Sequence, residues 1–171
     1  VQMSHDLNTQ RLTLHFTQSC PATPGQLHKL PFLIPIQFGL LNENGQSVLP
    51  EQLLVLGEAE HTLVIENIAS PAIPSLLRGF SAPVQLQFPH SQAQLLVLLA
   101  HDTDAFNRWE ASQRLYLTAA VQAMAQDAIS DALLSEEFIS GLRQVLRHPE
   151  LDAAFKELVL TPPSESYIAE Q

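Results

Sequence analysis

Histidines are the side chains of this sequence best suited to metal binding or proton transfer. The 171 residues include seven histidines, and no two of them lie three or four positions apart. The HExxH and HxH spacings, which would bring two imidazoles to one metal ion, are therefore absent. We expect scattered loop and surface histidines rather than a metal centre: His5, His15, His28, His61, His90, His101 and His148.

The densest cluster of polar residues is His101-Asp102-Thr103-Asp104. One interpretation is a metal or acid–base site. The favoured one is a helix cap at a domain junction, because Asp and Thr oxygens accept hydrogen bonds from the unpaired N–H groups of a first helical turn.

Nucleophilic and phosphate-binding chemistry has little support in the sequence. There is no GxSxG elbow, and the six glycines are dispersed rather than gathered in a phosphate loop. Cys20 is the single cysteine, and we expect no basic group near it to activate the thiol. We therefore assign no catalytic, cofactor-binding or metal-ligating residue.

Arg78 interrupts an apolar alternation in the stretch PSLLRGFSAPVQL, residues 74–86. Every second neighbour is apolar, namely Leu76, Phe80, Ala82, Val84 and Leu86. We expect Gly79 to host a bulge that turns the arginine outward. The alternative is an ion pair between the arginine and a carboxylate of a neighbouring domain.

Composition and charge exclude several classes of function. Hydrophobic residues make up 46% and charged residues 15% of the sequence, which is typical of a globular protein. A net charge of −10 without any basic run disfavours a nucleic-acid partner. The longest apolar run, residues 95–100, is too short to span a bilayer, so we expect no membrane association. A single cysteine favours a reducing, cytoplasmic location, and the alternative is a disulfide-free periplasmic protein.

The hydrophobic period changes near His101 and indicates two domains. Before it, apolar residues alternate with polar ones, which predicts an antiparallel β-sandwich of about seven strands over residues 1–100. Pro35 predicts an edge strand or a bulge, and Asn44-Gly45 predicts a hairpin turn. The predicted strands are Arg11–Thr17, Phe32–Leu40, Ser47–Leu56, His61–Ile68, Ser75–Gly79, Val84–Phe88 and Ala93–Ala100.

After His101 the apolar residues recur every three or four positions, which predicts helices over residues 101–171. Helices are expected from Ser135 to Arg147 and from Asp152 to Leu158, forming an incomplete helical segment. A first helix follows the cap at residues 102–104. Its buried stripe is expected to contain Phe106, Trp109, Tyr116 or Leu117, Ala120, Val121 and Met124, with Trp109 as a core or interface anchor.

Three stretches resemble one protein family in the same order and with similar spacing. They are CPATPGQLHKLPFLIPIQFGLLNENGQSV (residues 20–48), PSLLRGFSAPVQL (residues 74–86) and HDTDAFNRWEASQRL (residues 101–115). The sequence is similar to the bacterial aminopeptidase N (alanyl aminopeptidase) family of zinc metallopeptidases. The resemblance is specific up to about Met124 and less distinctive beyond it.

The resemblance implies an immunoglobulin-like β-sandwich over residues 1–100 and the first helices of a larger helical domain over residues 101–171. In that family the chemistry lies upstream, in an HExxH zinc motif and a GxMEN-type substrate strand. Neither motif occurs here, so no catalytic or metal residue is carried over. The resemblance thus implies zinc in the parent enzyme, none in this chain, and no activity of the chain alone.

Two functions from different classes follow. The first is a non-catalytic fragment of a zinc-dependent aminopeptidase that removes N-terminal amino acids from peptides. The fragment would be a spacer linking the catalytic domain to the helical domain that covers the active site, with those domains as its partners and peptides as substrates of the parent. The alternative is a free-standing immunoglobulin-like binding or adhesion module with a helical appendage.

Overall fold

A computed structural model describes residues 1–125 and 134–170. The chain divides into two compact units, Val1–Pro89 and His90–Gln171. We call them the β unit and the helical unit. Residues 126–133 and 171 of the predicted helical segment lie outside the described residues.

The β unit consists of two antiparallel three-stranded sheets. One sheet has the order β1-β2-β5 and the other the order β4-β3-β6. The strands are β1 (Gln2–Asp6), β2 (Arg11–Thr17), β3 (Ile34–Leu41), β4 (Ser47–Leu56), β5 (Glu60–Ile65) and β6 (Ile73–Leu76).

The core of the β unit is formed by the inward faces of both sheets. Side chains alternate between the two faces of a strand, so every second residue reaches the core. All of these inward side chains are buried and belong to one cluster: Leu12, Leu14 and Phe16 from β2, and Ile36, Phe38 and Leu40 from β3. The predicted sandwich is therefore confirmed, with six strands in the described β unit.

The predicted hairpin turn joins β3 to β4. Asn42 Oδ1 accepts hydrogen bonds from the N–H groups of Asn44 and Gln46, and Gly45 adopts a φ of 76°. Pro35 predicted either an edge strand or a bulge. The edge position is wrong, because β3 is the central strand of its sheet. The strand does carry register shifts, near Phe38. Pro35 lies beyond the part of β3 that pairs with β6, so no β6 ladder bond requires its missing N–H.

Two strand predictions near the end of the β unit were wrong. The strand expected at Ser75–Gly79 ends at Leu76 and gives way to a single 3-10 turn, Arg78–Phe80. The segment Val84–Phe88 forms no strand. Phe88 is nevertheless buried in the sandwich core, so its apolar side chain anchors an extended segment without a hydrogen-bonded ladder.

The helical unit contains five helices among its described residues. Ser135 and Asp152 cap the helices that follow them, as the sequence predicted for Ser135. The helices are α1 (Gln92–His101), α2 (Ala105–Ala125), α3 (Glu136–Arg147), α4 (Ala153–Leu160) and α5 (Glu165–Ala169). None of the helices in the described ranges is both long and apolar enough to cross a membrane.

Helix α1 replaces the strand predicted at residues 93–100. Its buried residues are Leu95, Leu98 and Leu99, which follow helical spacing. Ser91 accepts a hydrogen bond from the N–H of Gln94, whose side chain accepts one from the N–H of Ser91. This capping box starts the helix. The units divide between Pro89 and His90, upstream of the boundary predicted at residue 100.

The buried face of α2 is offset from the predicted apolar stripe. Its buried residues are Asn107, Arg108, Ala111, Ser112 and Leu115, whereas Met124 is exposed. The prediction assumed that buried positions are apolar. Here polar side chains occupy part of the buried face: Ser112 Oγ donates to the carbonyl of Trp109 at 2.7 Å, and Arg108 Nη2 donates to the carbonyl of Ala100.

We expect Ser91→Ala to destabilise the helical unit by about 1 kcal/mol, because it removes the acceptor that caps α1. Trp109 is the single tryptophan and lies in α2, so its fluorescence reports on this unit during urea unfolding. Ser19→Ala, at an exposed loop serine of the β unit, is the matched control. An unchanged urea midpoint for Ser91→Ala would contradict the role of the cap.

Candidate functional site around Arg78

Arg78 is buried, with only 8% of its surface exposed. The outward orientation expected from a bulge at Gly79 is therefore wrong. The backbone around the arginine takes left-handed conformations, with φ of 56° at Leu77, 62° at Gly79 and 53° at Phe80. Two of these residues are not glycine, so the turn stores local strain of about 1 kcal/mol or more at each of them.

The strained turn lays the arginine side chain over the outer face of β3. Gly39 lies on this face, because its neighbours Phe38 and Leu40 point into the core. A Cβ at Gly39 would lie in ordinary van der Waals contact with Arg78 Nη1, at 3.5 Å, so the arginine packs directly over this glycine. Ser75 of β6 pairs directly with Gly39 and is completely buried.

One polar cluster joins the turn to three strands. Arg78 Nε donates to Glu51 Oε2 of β4 at 2.5 Å, and Nη1 donates to Ser75 Oγ of β6 at 2.9 Å. Gln37 Nε2 of β3 donates to the other oxygen of Glu51. We call Gln37, Glu51, Ser75 and Arg78 the Arg78 cluster.

The Arg78 cluster lowers the pKa of Glu51. Hydrogen bonds from Arg78 and then from Gln37 lower the pKa of Glu51, against a smaller desolvation effect. The Glu51 side chain is 44% exposed, so solvent screens the ion pair and limits its energetic value. The remaining contribution of the cluster comes from the hydrogen bond of Arg78 to buried Ser75 and from its packing over Gly39.

The outer face of the same sheet continues from the cluster into apolar residues. Pro35 pairs with Val55, and Gln37 pairs with Leu53, so these four residues share the outer face. Leu33 lies two residues before Pro35, and its side chain packs against Gly57. We call Leu33, Pro35, Leu53 and Val55 the outer strip. All four are exposed.

Sequence reasoning found Arg78 but missed its partners. A two-residue turn at Asn44-Gly45 would place Gln37 opposite Gln52, whereas the observed pair Leu41–Ser47, continued without irregularity, would place Gln37 opposite Glu51. The register shifts in β3 change that pairing to Gln37 with Leu53, but the two polar side chains still meet.

The residues 101–104 form a helix corner and cap helices as predicted, but they lie within the helical unit rather than at the division between the units. Asp102 is the C-cap residue of α1, and its Oδ1 accepts a hydrogen bond from the N–H of Asp104 at 2.9 Å. Asp104 Oδ1 accepts from the N–H of Asn107 at 2.8 Å, which caps α2. Arg108 Nη2 donates to the carbonyl of Ala100. Burial lowers the pKa of Arg108, an effect that the charge of Asp102 partly offsets.

The remaining candidates for chemistry lie apart from one another. His5 bonds the carbonyl of Ile68, and His15 bonds the hydroxyl of Thr62. Cys20 is exposed, and Lys29 Nζ lies 3.4 Å from its sulfur, so the expectation of no nearby basic group was wrong. Nine residues separate the two in sequence, and the loop brings them together.

The zinc ion implied by the family resemblance has no fitting ligand set in the described ranges. Within residues 1–125 and 134–170, no group of three or more His, Cys, Asp or Glu residues could hold a metal ion. Zinc therefore enters no chemical step derived from these residues. What the Arg78 cluster and the outer strip provide is a shaped surface rather than a reactive group.

Two domain families match the two units. Residues 1–89 match DUF3458, a domain of unknown function with an Ig-like fold, and residues 92–171 match its C-terminal companion domain, described as ARM repeats. The chain therefore belongs to the DUF3458 family.

In similar proteins this pair of domains is part of a longer chain. The chain is 34% identical to aminopeptidase N of Escherichia coli over 99% of its own length and 20% of the relative. It is 32% identical to aminopeptidase N of Haemophilus influenzae, over 98% of its own length and 20% of the relative. The resemblance to bacterial aminopeptidase N is thus confirmed, and the chain spans about one fifth of these relatives.

A solved structure shows the same architecture. The crystal structure of Legionella pneumophila aminopeptidase A in complex with aspartic acid matches with a TM-score of 0.83 and 28% identity. The match covers 99% of this chain and 19% of that protein.

We expect Arg78→Ala to destabilise the β unit by about 2 kcal/mol, because it removes charge-assisted hydrogen bonds and the group that covers Gly39. Hydrogen exchange at the amides of Gly39 and Ser75 measures the effect. Arg11→Ala, at an exposed arginine of β2, is the matched control and should change little. Equal exchange in the two variants would show that the Arg78 cluster does not hold the sheet.

The depressed pKa of Glu51 predicts a pH dependence. Its stabilising contribution is present above the unfolded-state pKa near 4.5 and is lost as the pH falls through the lower folded-state value. The stability difference between the unaltered chain and Glu51→Gln should therefore narrow below about pH 4.5. Urea unfolding followed by circular dichroism across pH 3–7 checks this, with Glu43→Gln in the exposed hairpin turn as control. A constant difference across that range would refute the linkage.

Proposed function

We propose that this chain is a non-catalytic segment of a larger zinc-dependent aminopeptidase that removes N-terminal amino acids from peptides. Its β unit is a spacer that links the catalytic domain to the helical domain covering the active site. The observation that carries this proposal is the alignment of nearly the whole chain with about one fifth of each aminopeptidase N relative.

The chemistry of the segment supports a positioning role. The sequence has no HExxH motif, and the polar groups of the Arg78 cluster are engaged in holding strands together. The β unit ends at Pro89 and α1 begins at Gln92, so the chain passes from one unit to the next through a short link. A short link and a packed sandwich suit a spacer because they limit the conformations available to the chain.

Zinc and the peptide substrate belong to the catalytic domain of the parent protein, and the other domains of the same polypeptide are the partners of this chain. The parent is a bacterial, cytoplasmic enzyme. The domain division is also part of the proposal, with the spacer ending at Pro89 rather than at the residue 100 expected from periodicity.

We expect the purified 171-residue chain to show no hydrolysis of an alanyl amide and to bind no stoichiometric zinc. The full polypeptide encoded by the same reading frame is the positive control and should contain an HExxH motif upstream. Activity and zinc content are measured on both proteins from matched purifications. Robust hydrolysis by the contaminant-free chain would refute the proposal, and so would a reading frame that encodes tandem sandwich domains without HExxH.

A further inference from the structure

We infer that the outer strip, together with the loop of residues 27–33, is the surface on which the part of the same polypeptide outside these 171 residues docks. This inference rests on the proposed function and adds the location of the interface. It starts from the apolar side chains that the β unit leaves in solvent. In the outer strip, Leu33 is 76%, Leu53 is 62% and Val55 is 50% exposed.

The outer strip is contiguous, because strand register places its members side by side. Pro35 lies opposite Val55, and Leu53 follows on the same face of β4. Leu33 Cδ1 lies 3.3 Å from the position that a Cβ of Gly57 would take, and Gly57 is two residues beyond Val55. Isolated exposed apolar side chains are ordinary, but a row of them along one sheet face marks an interaction surface.

The loop before β3 also exposes apolar side chains. It exposes three more large apolar side chains, of which Leu30 is 87% exposed; the others are Leu27 and Phe32. The loop is held in place by Gln18, whose amide donates to the carbonyl of Phe32 and accepts from its N–H. A fixed loop loses little conformational entropy on docking, so its apolar side chains are prepared for contact.

The Arg78 cluster forms a polar border at the other end of the strip. Gln37 lies opposite Leu53, and Glu51 lies two residues before Leu53 on β4. An apolar centre with a polar edge is the usual arrangement of a protein–protein interface.

The occupant we commit to is covalently linked rather than a second copy. Two copies would each carry a net charge of −10, and this repulsion opposes their association. About four fifths of each aminopeptidase N relative lies outside the region that this chain matches. A tether raises the effective concentration of such a neighbour, so a small apolar surface suffices for docking.

Hydroxyl-radical footprinting of the isolated chain and of the full polypeptide tests the inference, because the radicals label exposed Leu, Val and Phe side chains directly. We expect labelling of Leu33, Leu53 and Val55 to fall at least about threefold in the full polypeptide, as in an interface core. Leu14, which is fully buried, sets the lower limit of labelling. Unchanged labelling of the three residues would overturn the inference.

A double variant, Leu53→Lys with Val55→Lys, tests the same surface independently. The urea midpoint of the isolated chain should stay unchanged because both sites are exposed, whereas the thermal midpoint of the full polypeptide should fall by several degrees. Val64→Lys, at an exposed position of β5, is the matched control. An equal loss in both proteins would overturn the inference, and so would no loss in either.

The two proposals fail in distinguishable ways. If the reading frame encodes no HExxH-containing polypeptide, the proposed function fails, and a concentration-dependent dimer of the isolated chain in sedimentation would assign the strip to a second copy instead. If the parent is an aminopeptidase and the strip stays labelled within it, only the docking inference fails.

Discussion

The two-residue period of β3 is the constraint on which both faces of the β unit depend. Ile36, Phe38 and Leu40 are committed to the core, so the residues between them must face outward. Gly39 is the buried position among these, and the guanidinium of Arg78 packs over it. The same alternation therefore creates a core on one side and an arginine-bordered apolar surface on the other.

The sequence predicted those elements in which polarity follows burial. Strand β2 lies at the predicted residues because Leu12, Leu14 and Phe16 alternate with polar neighbours. Within the helix predicted from Ser135 to Arg147, the buried residues Phe138, Leu142 and Val145 recur at helical spacing, whereas Leu146, the fourth apolar residue expected on that face, is exposed. In each case the core requirement can be read directly from side-chain type.

Prediction failed where polarity and burial separate. Helix α1 is so uniformly apolar that period alone could not identify it, and only the Ser91–Gln94 cap distinguishes it from a buried strand. The face of α2 was misplaced because Arg108 and Ser112 are buried. Arg78 was misplaced because left-handed backbone at Leu77 and Phe80 has no signature in residue type.

The feature with the widest consequence is Pro35 in the central strand. Strand β6 pairs only with residues 38–41 of β3. Before Phe38, β3 pairs with β4 on one side, and no described strand lies on the other. Pro35 offers no N–H there, and the N–H of Gln37, two residues on, already donates to Ser81 Oγ at 3.0 Å. An incoming strand would find no donors at these two positions. The sheet thus exposes an apolar surface, while this side of β3 offers no free donor at either position, which opposes edge-to-edge strand addition there.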